Sequence, residues 1–84
     1  MTSDEARELM SSVLRPIAPE ADLADVGPGE TIQEALDLDS IDFLNFITGL
    51  SEATGLEMPG KDYPRLLTLE GCVNYLVTGG APEG

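Results

Sequence analysis

The sequence predicts an all-α fold: a small bundle of three long helices and one short one, with a long loop after helix 1. Three observations lead there. Apolar residues recur at helical spacing in three separate stretches, no stretch alternates as a strand would, and 84 residues suffice for one small core. A chain of that length buries a modest share of its surface, so its net stability is small.

The first helix starts at Thr2 or Ser3, either of which can cap it, with Asp4 and Glu5 suited to the positive end of its dipole. Ala6, Leu9, Met10, Val13, Leu14 and Ile17 form its apolar stripe. Pro16 and Pro19 disfavour regular helix beyond Arg15. The stretch "APEADLADVGPGE", residues 18 to 30, reads as a long acidic loop with a Gly-Pro-Gly turn, tethered to the core by Leu23 and Val26. Thr31 precedes Glu34 at capping-box spacing, which predicts a short helical turn with Ile32 and Leu36 facing inward.

The second long helix is predicted from about Asp39 to Thr54, stopped by Gly55. Ile41, Leu44, Ile47 and Leu50 make one stripe and Phe43 and Phe46 widen it, so this helix should sit centrally. In "LEMPGKDYPRLL", Pro59, Gly60 and Pro64 allow at most one short helical turn. Thr68 can cap a closing helix whose inner face carries Leu69, Cys72, Val73 and Leu76. Gly71 within it costs about 1 kcal/mol relative to alanine, so that helix must lean on packing. The domain is expected over residues 1–78, with residues 79–84 a flexible tail.

Composition narrows the function. Asp and Glu number 16 against 4 Lys and Arg, a formal net charge of −12. Such a surface repels nucleic acid and anionic membranes and attracts basic proteins. There is no histidine and one cysteine, Cys72, which excludes a His-based triad, a His/Cys metal site and an intramolecular disulfide within these residues. A buried, inert thiol is the expectation for Cys72 on its apolar face. "MTSDEARELM" is acidic where a secretory leader is basic, and no membrane span is visible, so a cytoplasmic, monomeric protein is expected.

One tetrapeptide stands out: "DSID", residues 39 to 42, at the start of the central helix. A calcium loop counted from Asp37 fails, because its fifth, sixth and twelfth places hold Ile41, Asp42 and Thr48. Ser40 could cap the helix, but Asp39 is as good a cap and would leave the serine hydroxyl free. With no base in the chain, that hydroxyl cannot activate itself as a nucleophile, so it could serve only as an attachment point worked on by another enzyme. A phosphate ester there would sit over free backbone amides at the positive helix end, opposed by Asp39 and Asp42.

The sequence resembles the acyl carrier proteins, small acidic four-helix domains whose signature is Asp-Ser-Leu, usually followed by Asp, at the start of the second helix. Here isoleucine replaces leucine. The resemblance extends without gaps from Thr31 to Leu76: Thr31, Ile32, Glu34 and Leu36 before the motif, Leu44 to Leu50 after it, "LEMP" in the connector, and "LLTLEGCVNYL" with Tyr75 in the last helix. Departures are Asp37, where the family often has glycine, Asn45, Thr48 and Gly49 on the second helix, and Thr54, where an aromatic is frequent.

The resemblance implies a substrate tether and not an enzyme. Ser40 would receive phosphopantetheine from coenzyme A through a phosphopantetheinyl transferase, and the arm's thiol would hold acyl groups as thioesters. It implies acyl-loading and acyl-processing partners with basic docking patches, met by Asp39, Ile41, Asp42, Leu44 and Glu52. Phe46, Leu50, Leu66 and Cys72 are the candidate walls of an acyl cavity. No metal-binding residues are expected. The pathway is that of fatty acids or of specialised acyl or polyketide products. Two alternatives remain open at this point: a carrier of aminoacyl or peptidyl groups, and an unmodified acidic adaptor for a basic protein.

Overall fold

The computed structural model describes residues 1–80; residues 81–84, the greater part of the expected tail, lie outside the described residues. Five helices follow in order: α1 (Ser3–Ile17), α2 (Ile32–Ala35), α3 (Ser40–Thr54), α4 (Tyr63–Leu66) and α5 (Leu69–Thr78). Short 3-10 turns occupy Leu23–Asp25 and Gly60–Asp62. Among the described residues there is no strand, only an isolated bridge between Thr31 and Thr68. The all-α bundle is therefore present, with α1, α3 and α5 as its long helices.

Local chemistry places most helix ends. Thr2 accepts the Glu5 amide while the Glu5 carboxylate accepts the Thr2 amide, a reciprocal capping box. Those hydrogen bonds from Thr2 hold the Glu5 carboxyl below its usual range. Gly55, with φ +73°, closes α3 in the left-handed region where a side chain would be strained. Gly79 (φ +69°) and the Gly80 amide, bonded to the Tyr75 carbonyl at 2.9 Å, close α5 in the same way. The first two residues of the expected tail thus belong to a helix cap.

Two proline expectations need correction. α1 runs through Pro16 to Ile17 and does not stop at Arg15. A proline in the last turn forfeits one backbone bond, and the Ala18 amide still reaches the Leu14 carbonyl at 2.7 Å. The connector holds more helix than one turn, because the Gly60–Asp62 turn runs directly into α4. Pro64 sits at the start of α4, where no amide donor is needed.

The predicted capping box at Thr31 does not form, since its side chain makes no cap bond. A non-local partner takes over instead. The Ile32 amide donates to the Leu67 carbonyl at 2.8 Å, the Leu69 amide to Glu30 at 3.3 Å, and the Glu70 amide to Pro28 at 3.0 Å. These bonds stitch the end of the long loop across the start of α5. Leu23 and Val26 are buried, as the loop's spacing suggested.

The core draws on all three long helices. Ala6, Met10 and Leu14 come from α1, Phe43, Phe46, Ile47 and Leu50 from α3, and Leu69, Cys72, Val73, Tyr75 and Leu76 from α5. Leu66 adds the contribution of α4. The inner stripe of α3 is therefore not the expected one: Ile41 and Leu44 face water, and the two phenylalanines face in. A helix apolar around most of its circumference lets its neighbours choose the buried sector.

Two glycines permit close packing. A Cβ on Gly49 would lie 2.5 Å from Val13 Cγ1, so glycine lets α1 approach α3. A Cβ on Gly71 would collide with the Arg65 carbonyl oxygen, so glycine lets the end of α4 lie on α5. Backbone contact is close between α1 and α3, α1 and α5, and α4 and α5, and buried side chains of α3 join those of α4 and α5 in the common core.

Candidate functional site

The backbone leading to "DSID" sets its exposure. The chain leaves α2 through Asp37, whose φ of +54° lies in the left-handed region. Aspartate tolerates that region better than most residues, and glycine tolerates it best. This is the position at which the sequence departs from a frequent glycine. Leu38 then turns inward and is buried, anchored by its amide to the Gln33 carbonyl at 2.9 Å. With Leu38 pinned, Asp39 and Ser40 emerge at the surface.

Asp39 is the cap. Its φ and ψ of −81° and 177° are extended, and its Oδ1 accepts the Asp42 amide at 2.7 Å. Ser40 is the first residue of α3, is exposed, and its hydroxyl bonds to no described group. The amides of Ser40 and Ile41 also lack a protein acceptor among the described residues. An exposed hydroxyl thus stands at a helix start with two open backbone donors.

Below it, α3 turns a mixed face to solvent. Ile41 is 70% exposed and Leu44 48%, unusual values for large apolar side chains on so small a domain. Asn45, Thr48 and Glu52 continue the same stripe at helical spacing and are exposed. The stripe extends about 18 Å along the axis from Ser40 to Glu52. Asp39 and Asp42 flank its upper end. The structure therefore brings Ser40, Asp39, Ile41, Asp42 and Leu44 together and sets Glu52 at the far end of the same face. Asn45 and Thr48 belong to that face as well; their spacing from Ile41 was the signal.

The four candidate cavity walls lie elsewhere. Phe46, Leu50, Leu66 and Cys72 are all 0% exposed within the common core. Burial pushes the Cys72 thiol up to about 12, which leaves it protonated and unreactive near neutrality. An open cleft of about 520 Å³ is instead lined by residues 18–22, Asp25 and residues 35–37.

Sequence reasoning missed one polar cluster. Tyr75 is buried, with its hydroxyl 2.8 Å from the Glu57 carbonyl and 2.9 Å from Asp62 Oδ2. The Arg65 guanidinium lies 4.7 Å above its ring and donates to the Gly80 carbonyl at 3.1 Å. Partners up to 18 residues away in sequence leave no local pattern to read.

No family profile matches the chain. An acyl carrier protein of Rubrobacter xylanophilus is 36% identical to it over 56 residues, which cover 67% of this chain and 69% of that protein. Set beside a small all-α bundle, that degree of identity over two thirds of both chains places this protein in the acyl carrier protein family, whose members are carriers rather than enzymes.

Proposed function

We propose that this chain tethers acyl groups on a phosphopantetheine arm attached to the hydroxyl of Ser40. One observation carries the reading. Within the "DSID" motif the cap is Asp39, so the Ser40 hydroxyl has no structural duty and stands exposed at the end of α3.

The residues present suit such a group. The open amides of Ser40 and Ile41 at the positive helix end favour a phosphodiester on that hydroxyl. Asp39 and Asp42 oppose it by charge, and a divalent cation in the modifying enzyme would offset that repulsion during transfer. When attached, the arm supplies a thiol that holds acyl groups as thioesters. The chain's own part is to present that arm beyond its surface and to offer a recognisable face.

That face is the outer stripe of α3. Ile41 and Leu44 provide apolar contact, and Asp39, Asp42 and Glu52 provide charge for enzymes with basic docking patches. A net charge of −12 draws such enzymes over distance, and a contact area this small lets them leave quickly. We place the chain, as a monomer in the cytoplasm, in a fatty-acid or specialised acyl or polyketide pathway. The cargo's tail would enter among Phe46, Leu50, Leu66 and Cys72, where buried side chains of α3, α4 and α5 share the core.

The test is an intact mass after incubation with coenzyme A, magnesium and a phosphopantetheinyl transferase of broad specificity. The wild-type chain should gain one phosphopantetheine and Ser40→Ala none. No gain, or equal gain in both, removes the reading.

A further inference from the structure

α1 carries Arg7 and Arg15, half of the cations in a chain where acids outnumber them 16 to 4, and neither finds a carboxylate. The helical neighbours of Arg15, three and four residues away, are Ser11, Ser12, Ala18 and Pro19. Arg7 has Asp4 one turn before it, yet no ion pair forms. Both guanidiniums stand exposed without a partner among the described residues. The helix dipole accounts for Arg15, in the last turn, and not for Arg7. With Ser11 midway between them, the two arginines make one row about 12 Å long. Together with Glu8 and Ser12 they line an open depression of about 420 Å³. The row faces away from α3. At 3.6 residues per turn, its members lie about 120–160° round α1 from Val13, the residue packed on Gly49 of α3.

We propose that this row docks an acidic segment of a second protein, whose carboxylates pair with Arg7 and Arg15 while the Ser11 and Ser12 hydroxyls donate between them. A guanidinium holds a carboxylate through two parallel hydrogen bonds, which makes arginine well suited to such a contact. The net charge of −12 does not forbid it. At physiological salt, charges beyond about 8 Å are screened, so a segment lying along α1 meets the row and not the acids of α3. Glu8 borders the row and disfavours a continuous anion. The fitting partner therefore spaces its carboxylates, and on a helix the distance between the arginines is about two turns. Because the row and the Ser40–Glu52 stripe lie on separate faces, a partner can grip α1 while enzymes work at α3. That simultaneity rests on the carrier reading above; the row itself is a property of the unmodified chain.

Hexaglutamate is the probe, titrated into the unmodified chain at low salt while backbone amide shifts are followed by NMR. Shifts should centre on residues 7–15, weaken as sodium chloride is added and be absent with hexaglutamine. Arg15→Gln should weaken binding about threefold, and Arg15→Gln combined with Arg7→Gln about tenfold, the worth of exposed ion pairs. No shifts, shifts spread over α3 and α5, or undiminished binding in the double variant would overturn the site. Equal shifts with inorganic phosphate would mean a simple anion site and overturn the acidic segment as occupant. The double variant also tests the separation of faces: a phosphopantetheinyl transferase should modify its Ser40 within about twofold of the wild-type rate. Modification slowed as far as peptide binding would place the row in that enzyme's docking face and overturn the separation. No modification of either protein would remove the carrier reading and, with it, the simultaneity, while the titration still decides the row.

Discussion

α3 and α5 begin with the same local device and end up in opposite surroundings. Asp39 accepts the amide three residues on at 2.7 Å, and Thr68 does so at 3.0 Å. At the first helical position, α3 has exposed Ser40 and α5 has Leu69, which is 1% exposed. At the first two amides, α3 leaves Ser40 and Ile41 open, while α5 gives Leu69 and Glu70 to the carbonyls of Glu30 and Pro28. The long loop covers one helix start and leaves the other in water. A capping motif therefore determines where a helix begins, and tertiary cover decides whether that start can work as a site.

The largest contrast should come from the side chains at those two starts. Leu69→Ala should cost about 2–5 kcal/mol of stability, because it empties a fully packed site. Ile41→Ala should stay within about 0.5 kcal/mol, since Ile41 already faces water. Urea midpoints at constant slope check both, and equal losses would erase the distinction.

The third helical position sharpens the comparison. Gly71→Ala gains helix propensity but drives a methyl into the Arg65 carbonyl, so a net loss of about 1–3 kcal/mol is expected. Asp42→Ala, at the matching place in α3, should cost a few tenths of a kcal/mol through lost helix-dipole interaction. A stabilised Gly71→Ala protein would show that α4 does not lie on α5.

A smaller difference is expected with pH. The buried Cys72 thiol is raised from 9.0 to about 12 in the folded chain, so the folded state holds its proton more tightly than the unfolded state. Its contribution is whole below pH 9 and is lost as pH rises towards 12. The Tyr75 phenol, raised chiefly by burial and then by Asp62, acts in the same direction. Urea midpoints at pH 8 and pH 11 should therefore fall further in the wild type than in Cys72→Ala, and equal falls would contradict the buried thiol.

What could be read in the residues follows the reach of each interaction. Thr2 with Glu5, Asp39, Gly55 and Thr68 act within four residues, and each was legible as a helix boundary. Thr31 was misread because its cap competes with backbone partners at Leu67 and Thr68, far along the chain. Ile41 and Leu44 were assigned inward as well as to docking, since apolar spacing on α3 does not say which sector its neighbours cover. The prolines misled through position, as Pro16 and Pro64 occupy turns that tolerate a missing donor. At the site, "DSID" was legible, but Asp39 and Ser40 were equal candidates for the cap until the geometry separated them. The tie from Tyr75 to Glu57 and Asp62 had no signal short of the folded chain.

Modification mapped to a peptide tests the account most directly. After reaction with the transferase and coenzyme A, fragmentation of the chain should locate a single phosphopantetheine on the hydroxyl of Ser40, at the uncovered helix start, and on no other serine or threonine. An arm found on another residue, or none found on a folded chain under conditions that modify a known carrier, would contradict it.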